Sequence, residues 1–150
     1  MMKRLHILIA AGVSFSLLGG AYVFQYLGYA PCTMCYWQRW PHMAAIAIGV
    51  LALVIPARIL GYLGALAALT TAAIGVYHTG VERKFWEGPS TCTGGGGLDS
   101  LSGNDLLSLE GPRLIMCDQV SWELFTLSMA SWNTVFSLVA VWLWLVAARR

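Results

Sequence analysis

The stretch Pro31-Cys32-Thr33-Met34-Cys35-Tyr36-Trp37-Gln38-Arg39 lies between two long apolar segments of the chain. It holds two cysteines three positions apart and an arginine four positions after the second cysteine. Because apolar segments of such length are candidates for membrane spans, we expect the stretch to lie at the surface of a bilayer. It therefore predicts a pair of thiols at a membrane surface, close to a permanent positive charge.

The composition indicates an all-α membrane protein with a single domain over residues 1–150. Of the 150 residues, 58% are hydrophobic and only 11% are charged, whereas soluble domains have about 25% charged residues. Four segments approach or reach the roughly 17–25 residues that a helix needs to cross a hydrocarbon core. We predict a four-helix transmembrane bundle, with helices over residues 5–27, 36–55, 59–79 and 132–148 and outer loops over 28–35 and 80–131.

The charges predict the orientation of this bundle. Basic residues lie at both termini and in the turn after the second helix, while all 7 acidic residues fall between helices three and four. Since basic residues favour the cytoplasmic side, we expect cytoplasmic termini and outward-facing cysteine loops. The apolar run after Lys3-Arg4 is longer than the core of a secretory signal and lacks a clear cleavage site, so we expect the first helix to be retained. The expected contact is with lipid, and no nucleic acid is expected.

The pair Cys32 and Cys35 favours a redox dithiol. A zinc site would need a second matched pair, but the other two cysteines are 25 positions apart, so we expect no metal here. Haem attachment would need a histidine after Cys35, where Tyr36 stands. A structural disulfide stays open as an alternative, although so short a loop has little chain entropy to remove.

Arg39 is the candidate residue for activating this pair. A helix that begins just after the cysteines would offer free N–H groups and a positive dipole to a thiolate. Arg39 lies one turn beyond Cys35 on the same face, so it could stabilise that thiolate and donate to a carbonyl oxygen of a bound acceptor. The alternative is an interfacial arginine with its head in water. Pro41 would clash with the carbonyl of Trp37, so we expect the regular helix to begin near Pro41 or to be kinked there.

The second outer loop carries Cys92 and Cys117. An even cysteine count outside the cytoplasm favours disulfides. The run Gly94–Gly97 beside Cys92 suggests slack chain, which suits a disulfide that changes partners better than the alternative, a structural staple. We predict a short interfacial helix between Asp118 and Asn133, anchored by Trp122.

The whole arrangement resembles the DsbB family of membrane thiol:quinone oxidoreductases. The resemblance covers nearly the whole chain and rests on four helices, a CxxC in the short outer loop, an arginine four positions later and two separated cysteines in the long loop. It implies that Cys92 and Cys117 take electrons from a soluble periplasmic DsbA-like thiol oxidase. It also implies that Cys32 and Cys35 pass them to ubiquinone or menaquinone in the bacterial inner membrane.

The resemblance further implies which side chains meet the quinone, namely Cys35, Arg39, His78 and Met129. His78 is predicted at the outer end of the third helix, at the depth of Cys35; a histidine solvated by headgroups is the alternative. Met129 follows the last cysteine by twelve positions, and a lipid-facing methionine is the alternative. The sequence departs from the family at Pro41 and in the glycine-rich insert after Cys92.

Two other functions remain as alternatives. A vitamin K epoxide reductase-like quinone reductase is also a four-helix membrane dithiol protein, but its CxxC stands at the start of the last helix rather than before the second. A non-enzymatic membrane subunit would use both cysteine pairs as structural disulfides. Cysteine-to-serine variants separate these readings, because loss of quinone reduction favours an enzyme and loss of thermal stability alone favours a scaffold.

Overall fold

A computed structural model describes residues 2–92 and 116–149 of the chain. It contains four helices, α1 Met2–Tyr26, α2 Thr33–Val54, α3 Arg58–Glu82 and α4 Met129–Arg149, and two strands, β1 Glu123–Leu124 and β2 Leu127–Ser128. The strands pair antiparallel and lead directly into α4. Each helix begins one to three residues before the position predicted from the sequence.

The four helices form a ring in which each packs against two neighbours. Both α1 and α3 contact α2 and α4. Glycine allows close approach between α3 and α4, where a Cβ at Gly64 would lie 2.5 Å from the indole of the fully buried Trp144. A Cβ at Gly61 would meet Ala148 in the same way, at 2.7 Å. Small residues at contact faces are how helices associate in lipid, so the ring is built for a membrane interior.

The outer surface of the ring is apolar, with large side chains such as Phe15, Val54 and Trp142 mostly exposed. Within the described residues, three segments are long and apolar enough to cross a membrane, namely Arg4–Tyr26, Arg58–Glu82 and Met129–Arg149. The structure is therefore that of a mostly helical membrane protein with three candidate spans and a fourth helix.

The helix α2 is the one that falls short of this apolar character. Its 22 residues include Gln38, Arg39 and His42. All three side chains are buried inside the ring rather than exposed on its apolar outer surface. The residues that make α2 polar are thus directed at the protein interior, which is where polar groups are tolerated in a membrane protein.

The predicted interfacial helix between Asp118 and Asn133 is wrong. The chain forms turns after Cys117, then the β1–β2 hairpin, and becomes helical only at Met129. Phe125 and Thr126 have φ values of 51° and 65°, so the backbone makes a two-residue hairpin turn that no right-handed helix can contain. The sequence concealed this turn because such turns usually carry Asn-Gly or Asp-Gly.

Trp122 nevertheless fixes this segment, but against protein. Its ring packs on Phe24 of α1 with centroids 5.0 Å apart. The guanidinium of Arg83 also donates to the backbone oxygen of Thr126 at 2.7 Å, and this hydrogen bond holds the hairpin to the end of α3. The run Gly94–Gly97 lies outside the described residues.

Candidate redox site

Cys32 occupies the N-cap of α2, directly before the first helical residue. Its Sγ accepts a hydrogen bond from the backbone N–H of Cys35 at 3.3 Å. The two sulfur atoms are 3.0 Å apart, and both cysteines are free thiols. The hydrogen bond shared with Cys35, together with burial, raises the pKa of the Cys32 thiol. Cys32 is buried and Cys35 is half-buried, so Cys35 is the more accessible sulfur.

The helix α2 runs without a break from Thr33 to Val54 and includes Pro41. Of the two expectations for Pro41, a helix start near that residue is therefore wrong. Because the first helical turns are regular, Arg39 keeps its place one turn beyond Cys35.

The second pair, Cys92 and Cys117, forms a disulfide. Both cysteines are buried in one cluster with Cys32, and Cys35 packs against that cluster. The backbone N–H of Cys117 also donates to the carbonyl of Cys92 at 2.7 Å. The fold thus brings all four cysteines together, although the two pairs are far apart in the sequence.

Arg39 is enclosed by aromatic rings and is only 6% exposed. Its guanidinium carbon lies 4.7 Å from the ring centre of Tyr22 and 4.8 Å from that of Tyr36. Its Nη1 donates to Oε1 of Gln25 at 2.8 Å. Its Nε is buried and has no hydrogen-bond partner within the described part of the chain. The side chain is therefore a fixed charge inside the protein, not an arginine with its head in water.

His78 is buried as well, so it is not a histidine solvated by headgroups. Its Nε2 lies 3.5 Å from Sγ of Cys32 and 3.8 Å from a carboxylate oxygen of Glu82. The ligand atoms of Cys32, Cys35 and His78 all lie within 4.8 Å of one another, a spacing that could hold a metal ion. Structural zinc sites have four protein ligands, and this group supplies three, so it does not define one.

A cavity of about 230 Å³ connects these residues. Its wall includes Cys35, Arg39, His78 and Met129 and is otherwise largely apolar, with side chains from all four helices. Met129 is the first residue of α4 and is half-buried there. The four residues that the sequence resemblance named as quinone contacts thus line a single cavity.

Sequence reasoning missed a buried polar chain in the wall of this cavity, to which Gln38, His42 and Asn133 contribute. Gln38 contacts His78, Asn133 donates to Oε1 of Gln38 at 2.7 Å, and the Oδ1 atom of Asn133 lies 2.8 Å from Nε2 of His42. Thr71 joins the same group through Nδ2 of Asn133 at 3.1 Å. A signal was present, since Gln38 and His42 lie four positions apart on one face of an otherwise apolar helix.

A reduced CxxC pair packed against a disulfide, inside a helical membrane protein, defines the class of membrane disulfide-forming oxidoreductases. Within that class the chain belongs to the DsbB family, since residues 3–147 match the family model described as "Disulfide bond formation protein DsbB". The family predicted from the sequence is confirmed.

The chain is also similar to two individual proteins. The chain is 29% identical to the "Disulfide bond formation protein B" of Azoarcus sp. (strain BH72), over 99% of this chain and 94% of the relative. It is 28% identical to an uncharacterised protein of Rickettsia prowazekii (strain Madrid E), over 57% of this chain and 52% of that protein. No solved structure matches the chain significantly.

Proposed function

We propose that the protein is a thiol:quinone oxidoreductase of the bacterial inner membrane. It reoxidises a soluble periplasmic DsbA-like thiol oxidase and passes the two electrons to ubiquinone or menaquinone. The observation that carries this proposal is the shared cavity, in which the accessible thiol of Cys35 and the buried charge of Arg39 face the same apolar space.

In this proposal α2 is the fourth membrane span, and the cysteine cluster lies at the periplasmic end of the bundle. The basic residues Lys3, Arg4, Arg58 and Arg149 are near the opposite helix ends, which favours cytoplasmic termini. A soluble periplasmic partner can then reach the second outer loop, while a quinone enters from the bilayer.

The cavity suits the head of a quinone in two respects. Its walls are largely apolar, as a lipid-soluble ring requires. The buried Nε of Arg39 lacks a partner within the described residues, and a quinone carbonyl oxygen is an acceptor that would satisfy it. The rings of Tyr22 and Tyr36 hold the guanidinium in place for that contact. A bound quinone would supply a two-electron, two-proton acceptor.

The relay begins at the disulfide of the long loop. A thiolate of the partner attacks Cys92, the bond from Cys92 to Cys117 breaks, and Cys117 leaves as a thiolate. The second thiol of the partner then attacks the mixed disulfide, which releases Cys92 and leaves the partner oxidised. Two electrons have moved from the partner to Cys92 and Cys117.

The second half of the relay transfers these electrons inward. Cys117 attacks Cys32 in its disulfide with Cys35, and Cys35 leaves as a thiolate beside Arg39. Cys92 then attacks Cys117, which restores the loop disulfide and frees Cys32. The state with a closed loop disulfide and an open CxxC pair, as in this structure, is the one that precedes transfer of two electrons and two protons to the quinone and reclosure of the pair.

The alternative functions fit less well. The CxxC caps the second helix, whereas the vitamin K epoxide reductase-like arrangement has it at the last helix. A scaffold with two structural disulfides would not need an open pair beside a cavity with a buried arginine.

The test uses the purified full-length chain in lipid, a reduced DsbA-like dithiol protein as donor and a ubiquinone analogue as acceptor. We expect one quinol for each partner disulfide formed, followed by quinone absorbance and by thiol counting. Ser137→Ala, a buried change in α4, serves as the matched control and should retain full turnover. Partner oxidation without quinol formation would refute the proposal.

A further inference from the structure

The buried polar chain in the cavity wall has one member whose orientation is decided by its surroundings, namely Gln38. Its side-chain Nε2 lies 2.9 Å from Nδ1 of His78 and 3.4 Å from the backbone oxygen of Met34. A carbonyl oxygen can only accept a hydrogen bond, so the amide atom beside Met34 must be the nitrogen. The same nitrogen therefore presents an N–H to His78.

The other end of the Gln38 amide agrees with this orientation. Its Oε1 accepts a hydrogen bond of 2.7 Å from Nδ2 of Asn133, whose second hydrogen points to Oγ1 of Thr71 at 3.1 Å. The Thr71 hydroxyl in turn donates to the backbone oxygen of Gln38 at 3.2 Å. Every contact in this chain pairs a donor with an acceptor only when the amides stand as described.

The consequence falls on the ring of His78. A neutral imidazole that accepts a hydrogen bond at Nδ1 carries its proton on Nε2. That atom lies 3.5 Å from Sγ of Cys32 and 3.8 Å from a carboxyl oxygen of Glu82. We infer that Gln38, oriented by Asn133, is a positioning residue that fixes the proton of His78 on the nitrogen facing Cys32.

This inference deepens the proposed function and rests on it at one point, the reclosure of the CxxC pair. To reclose, Cys32 must lose its proton and act as a nucleophile, so negative charge develops on its sulfur. Two donors then meet that charge, Nε2–H of His78 and the backbone N–H of Cys35 at 3.3 Å. Hydrogen bonds to a charged acceptor are about twice as strong as neutral ones, so the fixed proton favours the reactive form. Arg39 and Glu82 are the charged groups that line the same cavity.

The direct test is ¹⁵N NMR of the full-length chain in lipid, labelled at its 3 histidines, with His78→Asn to assign the signals. We expect an unprotonated Nδ1 and a protonated Nε2 for His78 at neutral pH. Gln38→Leu and Asn133→Leu should both populate the opposite tautomer, while Ser137→Ala should not. A protonated Nδ1 in the natural chain, or an unchanged tautomer in Gln38→Leu, would overturn the inference. Neither quinone nor partner is present, so the result stands even if the proposed function fails.

A second measurement asks whether the proton matters for Cys32. In a chain whose other three cysteines are serine, the rate of alkylation of Cys32 against pH reports its thiolate fraction. We expect His78→Leu to slow the reaction about tenfold at neutral pH, since a rise of one unit in the pKa of Cys32 lowers its thiolate fraction about tenfold. Gln38→Leu should slow the reaction several-fold. A lowered thermal midpoint with an unchanged pH profile would mean a purely structural role and would overturn the inference.

Discussion

The two cysteine pairs stand in different kinds of local structure, one at the start of a helix and the other in turns. Cys32 and Cys35 stand at the first turn of α2, with a histidine from α3 beside them. Cys92 and Cys117 stand in turns outside the helices, joined to each other by a disulfide and a backbone hydrogen bond. The inner pair, Cys32 and Cys35, can therefore be tuned by fixed neighbours on helices. The outer pair, Cys92 and Cys117, is reached through turns, although it packs against the inner pair in the same buried cluster.

This difference suggests a division of labour. A pair that passes electrons to a membrane acceptor needs a constant geometry toward the cavity, and a helix start inside a packed bundle supplies it. A pair that exchanges with a second protein must be reached from outside, and the outer pair lies in chain beyond the helix ends, although both of its cysteines are buried in this structure. Substitutions in the two regions should accordingly affect different half-reactions.

The largest effect should come from removing single sulfurs. Cys35→Ser should abolish quinone reduction with any donor, because the remaining Cys32 thiol has no partner with which to reclose a disulfide. Cys92→Ser should abolish oxidation of the protein partner but leave quinone reduction by a small dithiol such as dithiothreitol, which can reduce the inner pair directly. The measurement is quinone absorbance with each donor in turn. Equal losses in both assays would show that the two pairs have no separate roles.

The next effect concerns the buried guanidinium. Arg39→Met should raise KM for the quinone about tenfold or more, because a charge-assisted hydrogen bond is worth about 1.5–3 kcal/mol, while partner oxidation in the first turnover stays normal. Arg83→Met is the matched control, since Arg83 bonds to the hairpin at Thr126 and does not line the cavity. An unchanged KM in Arg39→Met would remove Arg39 from the quinone site.

The third largest effect concerns the packing of α3 against α4 at Gly64. A side chain at Gly64 must displace Trp144, since even a Cβ would lie 2.5 Å from the indole. Gly64→Val should therefore destabilise the protein by about 1–3 kcal/mol, seen as a lower thermal midpoint in lipid. Gly12→Val meets nothing within 4 Å and is the control. Equal midpoints for the two variants would contradict the packing described for α3 and α4.

The smallest effect should come from the loop that carries the outer pair. Lys84 forms an ion pair with Asp118, next to Cys117, but the Lys84 side chain is 65% exposed. Exposed ion pairs contribute about 0–1 kcal/mol. Lys84→Gln should therefore change turnover with the partner by no more than a few-fold and leave quinone KM unchanged. A large loss of partner oxidation would mean that this pair, and not the disulfide alone, sets the position of Cys117.

Much of this architecture was readable from the sequence. Apolar runs of span length marked the helices, and the spacing from Cys35 to Arg39 placed both on one face of α2. Contacts between distant segments were not readable, because period and spacing describe only local structure. The partnership of Arg39 with Gln25 and the meeting of Gln38 with Asn133 across 95 positions both arise from the packing of separate helices.

The β1–β2 hairpin is a local structure that the sequence also failed to predict. Its residues are mostly apolar and contain none of the usual turn-forming pairs, so the segment was expected to be helical. Phe125 and Thr126 take left-handed backbone angles all the same. Such angles are rare for residues of this type, and tertiary contacts such as the bond from Arg83 hold the turn in place.

Because a cysteine caps α2, the backbone hydrogen bonding at the start of this helix depends on the redox state of the CxxC pair. The sulfur of Cys32 receives the Cys35 amide hydrogen, and in the proposed relay the same sulfur changes its covalent partner in each cycle. Solvent exchange of that single amide would then differ between the oxidised and reduced protein. Deuterium uptake at the Cys35 amide would therefore report whether the CxxC pair is oxidised or reduced.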